Sequence, residues 1–228
     1  MGVVNILAIE TATPACAVGV RTTRGIVVTR VEDGRRHTEA LTGAMKELLD
    51  EVELVPRDVN RVVVDRGPGL FTGLRVGVAT AIAFSQGLGC ELVGVTSLEM
   101  LAGGAFEAGV RGRLFACVDG RRGEIFVQSF ALDGEVEALD DARVTTAREV
   151  VATWGATETP ATFTGDGVER YWSDFAANPL ATNFRQLVPS VHAGLSLGAS
   201  RAPEEFVSPL YLREADAVAN FTTRERPR

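Results

Sequence analysis

Residues 65–89 read DRGPGLFTGLRVGVATAIAFSQGLG, and the rest of the chain is best understood outward from them. The stretch opens on a Gly-Pro-Gly turn: Pro68 presets its own φ, and Gly67 and Gly69 can take backbone angles that other residues resist. Thr72 is placed to cap a helix, its hydroxyl accepting from an orphan amide of the first turn. Few large side chains follow for about four turns. Gly73, Gly77, Ala81 and Ser85 recur at every fourth position, with Ala79, Ala83 and Gly87 beside them. A glycine inside a helix costs roughly 0.5–1 kcal/mol relative to alanine. The spacing therefore predicts a helix against which something packs very closely, or whose amino end approaches a ligand.

Immediately before it, residues 61–65 (RVVVD) form the near-continuous apolar run expected of a strand covered on both faces. Further upstream, 5–10, 15–21 and 25–31 are β-rich runs separated by short turns, an antiparallel meander. Thr38 is read as the cap of a helix whose apolar positions Leu41, Met45, Leu48 and Val52 follow helical spacing. Downstream, 91–95 is a short strand and Thr96 to Glu99 spells a capping box. The first half thus reads βββαβαβα. After a Gly- and Ala-rich passage at 103–112, read as a linker, the second half starts again. A hairpin is expected at 113–118 and 124–130, then a capping box from Thr146 to Glu149, a strand at 161–164, and helices at 168–177 and 191–197. Each half places a carboxylate, Glu10 or Asp119, where its first strand ends and a tight turn begins. A repeated unit of this kind predicts two related α/β lobes meeting at a cleft, the actin-like ATPase (ASKHA, ribonuclease H-like) architecture. The expected division is 1–104 for the first lobe, 105–213 for the second, and a polar tail at 214–228.

Composition narrows the classes. The 228 residues are 46% hydrophobic, enough for a sizeable core. Net charge is −7, from 30 acidic and 23 dispersed basic residues, which argues against a stand-alone nucleic-acid binder. The three cysteines, Cys16, Cys90 and Cys117, lie in apolar runs without CxxC spacing and read as reduced, buried thiols. No basic-then-apolar leader is visible at the amino end, and the most apolar stretch, 76–88, is too short to span a bilayer. A soluble, cytoplasmic protein with no membrane association is expected.

Five segments, in order and spacing, resemble the TsaB (YeaZ) family: ILAIETAT (6–13), HTE (37–39), GPGLFTGLRVG (67–77), DGRRGE (119–124) and PLYLR (209–213). The resemblance covers nearly the whole chain, and the glycine-rich segment is its most specific part. Leu70 stands where that family usually has serine and Gly120 where alanine is common; neither change touches the glycines or Thr72. The resemblance implies a non-catalytic scaffold and activator subunit of the bacterial machinery that places threonylcarbamoyl on the adenosine beside the tRNA anticodon, within the M22 peptidase/glycoprotease-like superfamily. It implies pairing with the paralogue TsaD, which carries the metal and does the transfer, and with the ATPase TsaE. It further implies a homodimer in isolation, and tRNA reached only through the complex. It implies no cofactor of the chain's own, with ATP or ADP at the complex interface left open. The family's pairing surface is formed by the first two helices of the first lobe. That points to Leu41, Met45 and Leu48 on one helix and Gly73, Gly77 and Ala81 on the other, burying on the order of 800 Å² per partner. Internal packing against the helix's own sheet is the competing reading of the small-residue stripe.

The residues also bear on whether the chain does chemistry itself. An M22-type metallopeptidase needs a ligand cluster, yet His37 and His192 each lack a second histidine three or four residues away. His37 reads as a helix-entrance residue and His192 as core or surface. Glu10 and Asp119 could face a magnesium-nucleotide, but Ala12 occupies the first turn and Pro14 removes an amide donor from it, so the phosphate grip reads as degraded. Thr72, Ser97 and Thr164 lack a nearby histidine base. No catalytic residue and no metal ligand is therefore assigned; a metallopeptidase or weak ATPase is the disfavoured alternative. Gly67, Gly69, Thr72 and Arg75, with Arg66 nearby, form a candidate anion or nucleotide cup at a helix amino end, without the lysine or spacing of a P-loop. A partner-independent anion sensor is the second alternative.

Overall fold

The computed structural model describes residues 4–25, 27–32 and 37–213. The first sheet begins as the expected meander, β1 (Ile6–Glu10), β2 (Cys16–Arg21) and β3 (Val27–Glu32), followed by α1 (His37–Glu51). β4 (Arg61–Asp65) then joins β1 in parallel, α2 (Phe71–Leu88) crosses over, and β5 (Glu91–Val95) joins β4 in parallel. α3 (Ser97–Glu107) leads to the second sheet: β6 (Gly112–Arg121), β7 (Glu124–Leu132), β8 (Val136–Ala138) and β9 (Arg143–Thr145). The chain continues through α4 (Ala147–Gly155), β10 (Ala161–Thr164), α5 (Asp166–Phe175), β11 (Ala181–Asn183) and α6 (Val191–Ser200). The sheet orders are β3-β2-β1-β4-β5 and β8-β7-β6-β10-β11, with β9 also on β7. Both lobes thus share one topology, an antiparallel hairpin extended by parallel strands beyond its first member. The short strands β8, β9 and β11 escape the sequence reading because three residues show no period.

Strand faces alternate as a doubly covered sheet requires. Leu7, Ile9, Val62 and Val64 pack in one cluster with Leu41, Leu48, Val78 and Ala81 of α1 and α2. Ile6, Ala8, Val63 and Val93 pack in another with Val191 and Leu195 of α6. Helix α6 therefore returns to the first lobe, so 105–213 is not a single unit. Its carboxy end is held by Arg61, whose guanidinium donates to the carbonyls of Gly198, Ala199 and Arg201 at 2.7, 2.9 and 3.1 Å. The same side chain pairs with Glu91 at 2.6 Å. A cation there satisfies orphan carbonyls and meets the negative end of the helix dipole. The passage read as a linker starts inside α3: Gly103 and Gly104 are helical and make room for Ala193 and Gln186.

Both capping boxes form. Thr96 accepts from the Glu99 amide at 3.1 Å, and Thr146 from the Glu149 amide at 3.2 Å. Thr72 is not a cap. The helix starts at Phe71 with Leu70 as N-cap and no side-chain capping bond, leaving Thr72 exposed at its second position. Thr38 also lies inside its helix, which begins at His37. The predicted tail 214–228 and the side chains of His37, Thr38 and Glu39 lie outside the described residues. Among the described residues the cysteines form no disulfide, Cys90 being only half-buried, and no helix is long and apolar enough to cross a membrane.

Candidate partner-binding groove

The small-residue stripe of α2 is answered from within the chain. Thr11, in the β1–β2 turn, donates its hydroxyl to the Gly73 carbonyl at 2.8 Å. A Cβ on Gly77 would collide with that same hydroxyl oxygen. Ala81 is fully buried, and one turn on Ser85 donates to the Cys90 carbonyl at 2.6 Å. On α1, Leu41, Met45 and Leu48 are only 1%, 6% and 0% exposed. The six residues expected at the partner interface are therefore interior: the stripe that repeats every fourth residue faces the chain's own sheet and first turn. Met45 alone also borders the outside.

The outward faces of the two helices make a different surface. Thr42, Met45, Lys46, Leu49 and Asp50 of α1 and Thr80, Ala83 and Phe84 of α2 line a groove of about 520 Å³, together with Leu54, Val55 and Pro56. Its floor is apolar. Val55 on its lining is 48% exposed, a large apolar side chain left in water. On the α1 rim, Lys46 and Asp50 pair at 2.6 Å, an exposed i,i+4 contact that orders the rim with little net stabilisation. The groove residues stand one step round the helices from the small-residue stripe.

The turns at the amino end of α2 hold the residues of the expected anion cup. Gly69 presses on Ala12, whose carbonyl accepts the Leu70 amide at 2.7 Å. The amides of Ala12 and Thr13 point to the Glu10 carboxyl, at 2.7 and 3.1 Å, and the Gly67 amide to Asp65 Oδ1 at 2.7 Å. The amides of Gly67, Ala12 and Thr13 are thus already taken by the chain's own carboxyls, and that of Leu70 by a carbonyl. Arg75 lies 3.7 Å over the Phe71 ring and donates to the Tyr211 hydroxyl at 3.3 Å. Arg66 pairs with Glu204 at 3.1 Å. Gly67, Gly69, Thr72 and Arg75 are therefore engaged elsewhere or exposed, and are not gathered round one anion. Both arginines secure the segment after α6, which crosses to the second lobe, where Arg213 meets Glu124 at 3.1 Å.

Asp65 is the residue missed by the sequence reading. Glu10 and Asp65 end neighbouring parallel strands and are both fully buried. Ser97 donates to Asp65 Oδ1 at 2.8 Å, but Oδ2 has no partner. Burial pushes the Asp65 carboxyl up to about 7. Burial and the neighbouring Asp65 likewise raise Glu10 well above the ordinary carboxyl range, against the pull of the Ala12 and Thr13 amides. Two acids ending adjacent strands, each followed by a turn, were visible as a pattern; that the turns close over both is a tertiary fact. Asp119, in the second lobe, has its own arginine partners at 3.1 and 3.6 Å. His192 is on the outer side of α6, its Nδ1 2.9 Å from Glu107. Among the described residues, no three His, Cys, Asp or Glu side chains form a group that could hold a metal ion.

Two lobes of one topology, a hairpin turn at the end of each first strand and helices on both faces of the first sheet define a duplicated two-lobed α/β protein. The chain belongs to the family described as TsaD, tRNA N6-adenosine threonylcarbamoyltransferase, whose model matches residues 20–219. Within it the chain groups with the TsaB (YeaZ) proteins. A solved Pseudomonas aeruginosa protein, described as uncharacterized with similarity to peptidase YeaZ, is 27% identical with a TM-score of 0.82, over 92% of this chain and 100% of that one. The Escherichia coli tRNA threonylcarbamoyladenosine biosynthesis protein TsaB is 33% identical over 57% of this chain and 56% of its own. An uncharacterized Mycobacterium tuberculosis protein is 39% identical over 54% of this chain. The match spans 57% of that relative's own length.

Proposed function

We propose that this chain is a non-catalytic scaffold and activator subunit in tRNA threonylcarbamoyladenosine biosynthesis, pairing through the α1–α2 groove with a TsaD-type paralogue. The groove carries the reading: an open, largely apolar channel between two helices, with exposed Val55 on its lining, is a surface suited to an apolar partner. The family match and the biosynthetic name of the Escherichia coli relative indicate which pathway that partner serves. The latched loops support the absence of catalysis, because the amides that would grip a phosphate bind Glu10 and Asp65 instead. In this reading the chain holds no cofactor of its own, ATP or ADP belongs to the complex interface, TsaE joins the pair, and two copies pair when no paralogue is present.

The test is co-purification with a TsaD homologue, followed by a tRNA modification assay with and without this chain. Thr80→Gln with Ala83→Gln puts bulky polar groups into the groove from outward positions, leaving the core untouched. The double variant is expected to keep its thermal stability while losing co-elution and stimulation of modification. Full co-elution and stimulation by it would refute the groove assignment; turnover by the isolated chain would refute the non-catalytic role.

A further inference from the structure

Under the carboxy-terminal half of α4 the second sheet is incompletely covered. Along β6, Arg113, Phe115 and Cys117 share one face. The register Phe115↔Ser129 and Val127↔Arg143 brings Ser129 of β7 and Arg143 of β9 onto that face. Phe115 stacks on Phe163 with ring centroids 5.0 Å apart and meets Trp154 of α4 edge-on at 6.2 Å. The rings fill the centre, but Ser129 is small, and a cavity of about 220 Å³ remains beside it. Arg113, Phe115, Ser129 and Arg143 line it from the sheet, Val150 and Trp154 from the helix. Ser129 is only 3% exposed, yet its hydroxyl has no hydrogen-bond partner among the described residues. Its amide alone is engaged, donating to Asp140 Oδ1 at 2.7 Å. A side-chain hydroxyl so enclosed ordinarily has a partner. The charges on the lining are unequal as well. Asp140, also on the lining, accepts from Arg143 through Oδ2 at 2.6 Å. Arg113 pairs with no carboxylate among the described residues. Its guanidinium lies 5.9 Å from the Phe115 ring centroid, at the outer limit of a cation–π contact. Glu137, beyond Ala131 in the same row of the sheet, is exposed and forms no ion pair among the described residues. Two guanidiniums thus face one carboxylate.

We propose that this cavity binds a small organic acid, its carboxylate received by Arg113 and Ser129 and its compact apolar body set against Phe115, Val150 and Trp154. A guanidinium matches a carboxylate in both charge and geometry, and the serine hydroxyl supplies a further donor. One uncompensated positive charge suits a monocarboxylate; a phosphate dianion would leave a charge unbalanced against an apolar wall. The volume lies below the roughly 300–1,000 Å³ of sites for drug-sized ligands, which leaves no room for a nucleotide. The cavity is in the second lobe and the α1–α2 groove in the first, so this inference does not depend on the partner assignment.

The test is isothermal titration calorimetry of the full chain with benzoate and 3-methylbutanoate, set against uncharged benzamide and inorganic phosphate. Saturable one-to-one binding of at least one carboxylate is expected, with benzamide weaker than benzoate by about 10-fold or more. Arg113→Gln should weaken the carboxylate by about 10-fold, and Arg113→Lys should restore part of the loss. Ser129→Ala removes an atom that no described residue uses, and should weaken binding by about 2–10-fold without lowering the melting temperature. Thr153→Trp, at an exposed position on the lining, should block the cavity. Thr80→Gln with Ala83→Gln should bind the acids as wild type does, so failure of the groove and failure of the cavity are read separately. No saturable binding of either carboxylate, or binding unchanged in Arg113→Gln, overturns the proposal. Phosphate binding as tightly as benzoate would show a site for a lone anion. An acetylated tripeptide ending in phenylalanine that binds more than about 10-fold tighter than benzoate would show a site for a peptide terminus. Either result overturns the proposal too.

Discussion

Replacing Asp65 with asparagine should stabilise this protein at neutral pH, although the residue is completely buried and hydrogen-bonded. The Oδ1 atom accepts from the Gly67 amide and the Ser97 hydroxyl, at 2.7 and 2.8 Å, and an amide oxygen can keep both bonds. The Oδ2 atom has no partner and belongs to a carboxyl that burial holds at about 7, beside Glu10, which is itself raised. An ordinary aspartate titrates near about 3.9. Between those two values the folded form keeps a proton that the unfolded chain has released, so stability falls as pH rises through the window and levels off above it. At about 1.4 kcal/mol per pH unit, the span amounts to about 4 kcal/mol as an upper figure. Asparagine is close in shape to the protonated acid and does not titrate. Urea unfolding at pH 4.5, 6, 7 and 8 should show Asp65→Asn matching wild type at the acid end and exceeding it by about 2–4 kcal/mol at the alkaline end. A difference that stays constant with pH, or a variant weaker than wild type at pH 8, would refute the account of the buried pair.

Two further outcomes follow from the same core. Gly77→Ala should cost about 1–3 kcal/mol by driving a methyl into the Thr11 hydroxyl. In a Thr11→Ala background the cost should shrink, giving a coupling of about 1 kcal/mol in a double-mutant cycle of denaturation curves. Arg61→Ala should cost about 2–3 kcal/mol, because three carbonyls at the end of α6 and Glu91 lose a charged donor. Hydrogen exchange should then rise first in the last turn of α6.

Much of the frame was legible in local pattern. The run RVVVD predicted a strand covered on both faces, and it is buried throughout. Thr96 with Glu99, and Thr146 with Glu149, predicted helix starts that form as capping boxes. The two carboxylate-ended first strands pointed to a repeat, and the two sheets share their order. These are features whose cause lies within a few residues: side-chain alternation, a hydroxyl three positions from an amide, a turn after a strand.

Tertiary structure decided which face of each element meets what. The stripe of Gly73, Gly77 and Ala81 announced a close approach, and the sequence by itself determined that much. That the approaching group is Thr11, brought from 62 positions away to the Gly73 carbonyl, was settled only when β1 and β4 paired. The same pairing set Glu10 beside Asp65 and turned the amides of the glycine loop inward. It left the other side of α1 and α2 as the open groove. Helical period specifies that a face is special but is blind to direction, since a stripe of small residues packs equally well on a neighbouring subunit or on the chain's own turn. The choice between them is made by contacts distant in sequence.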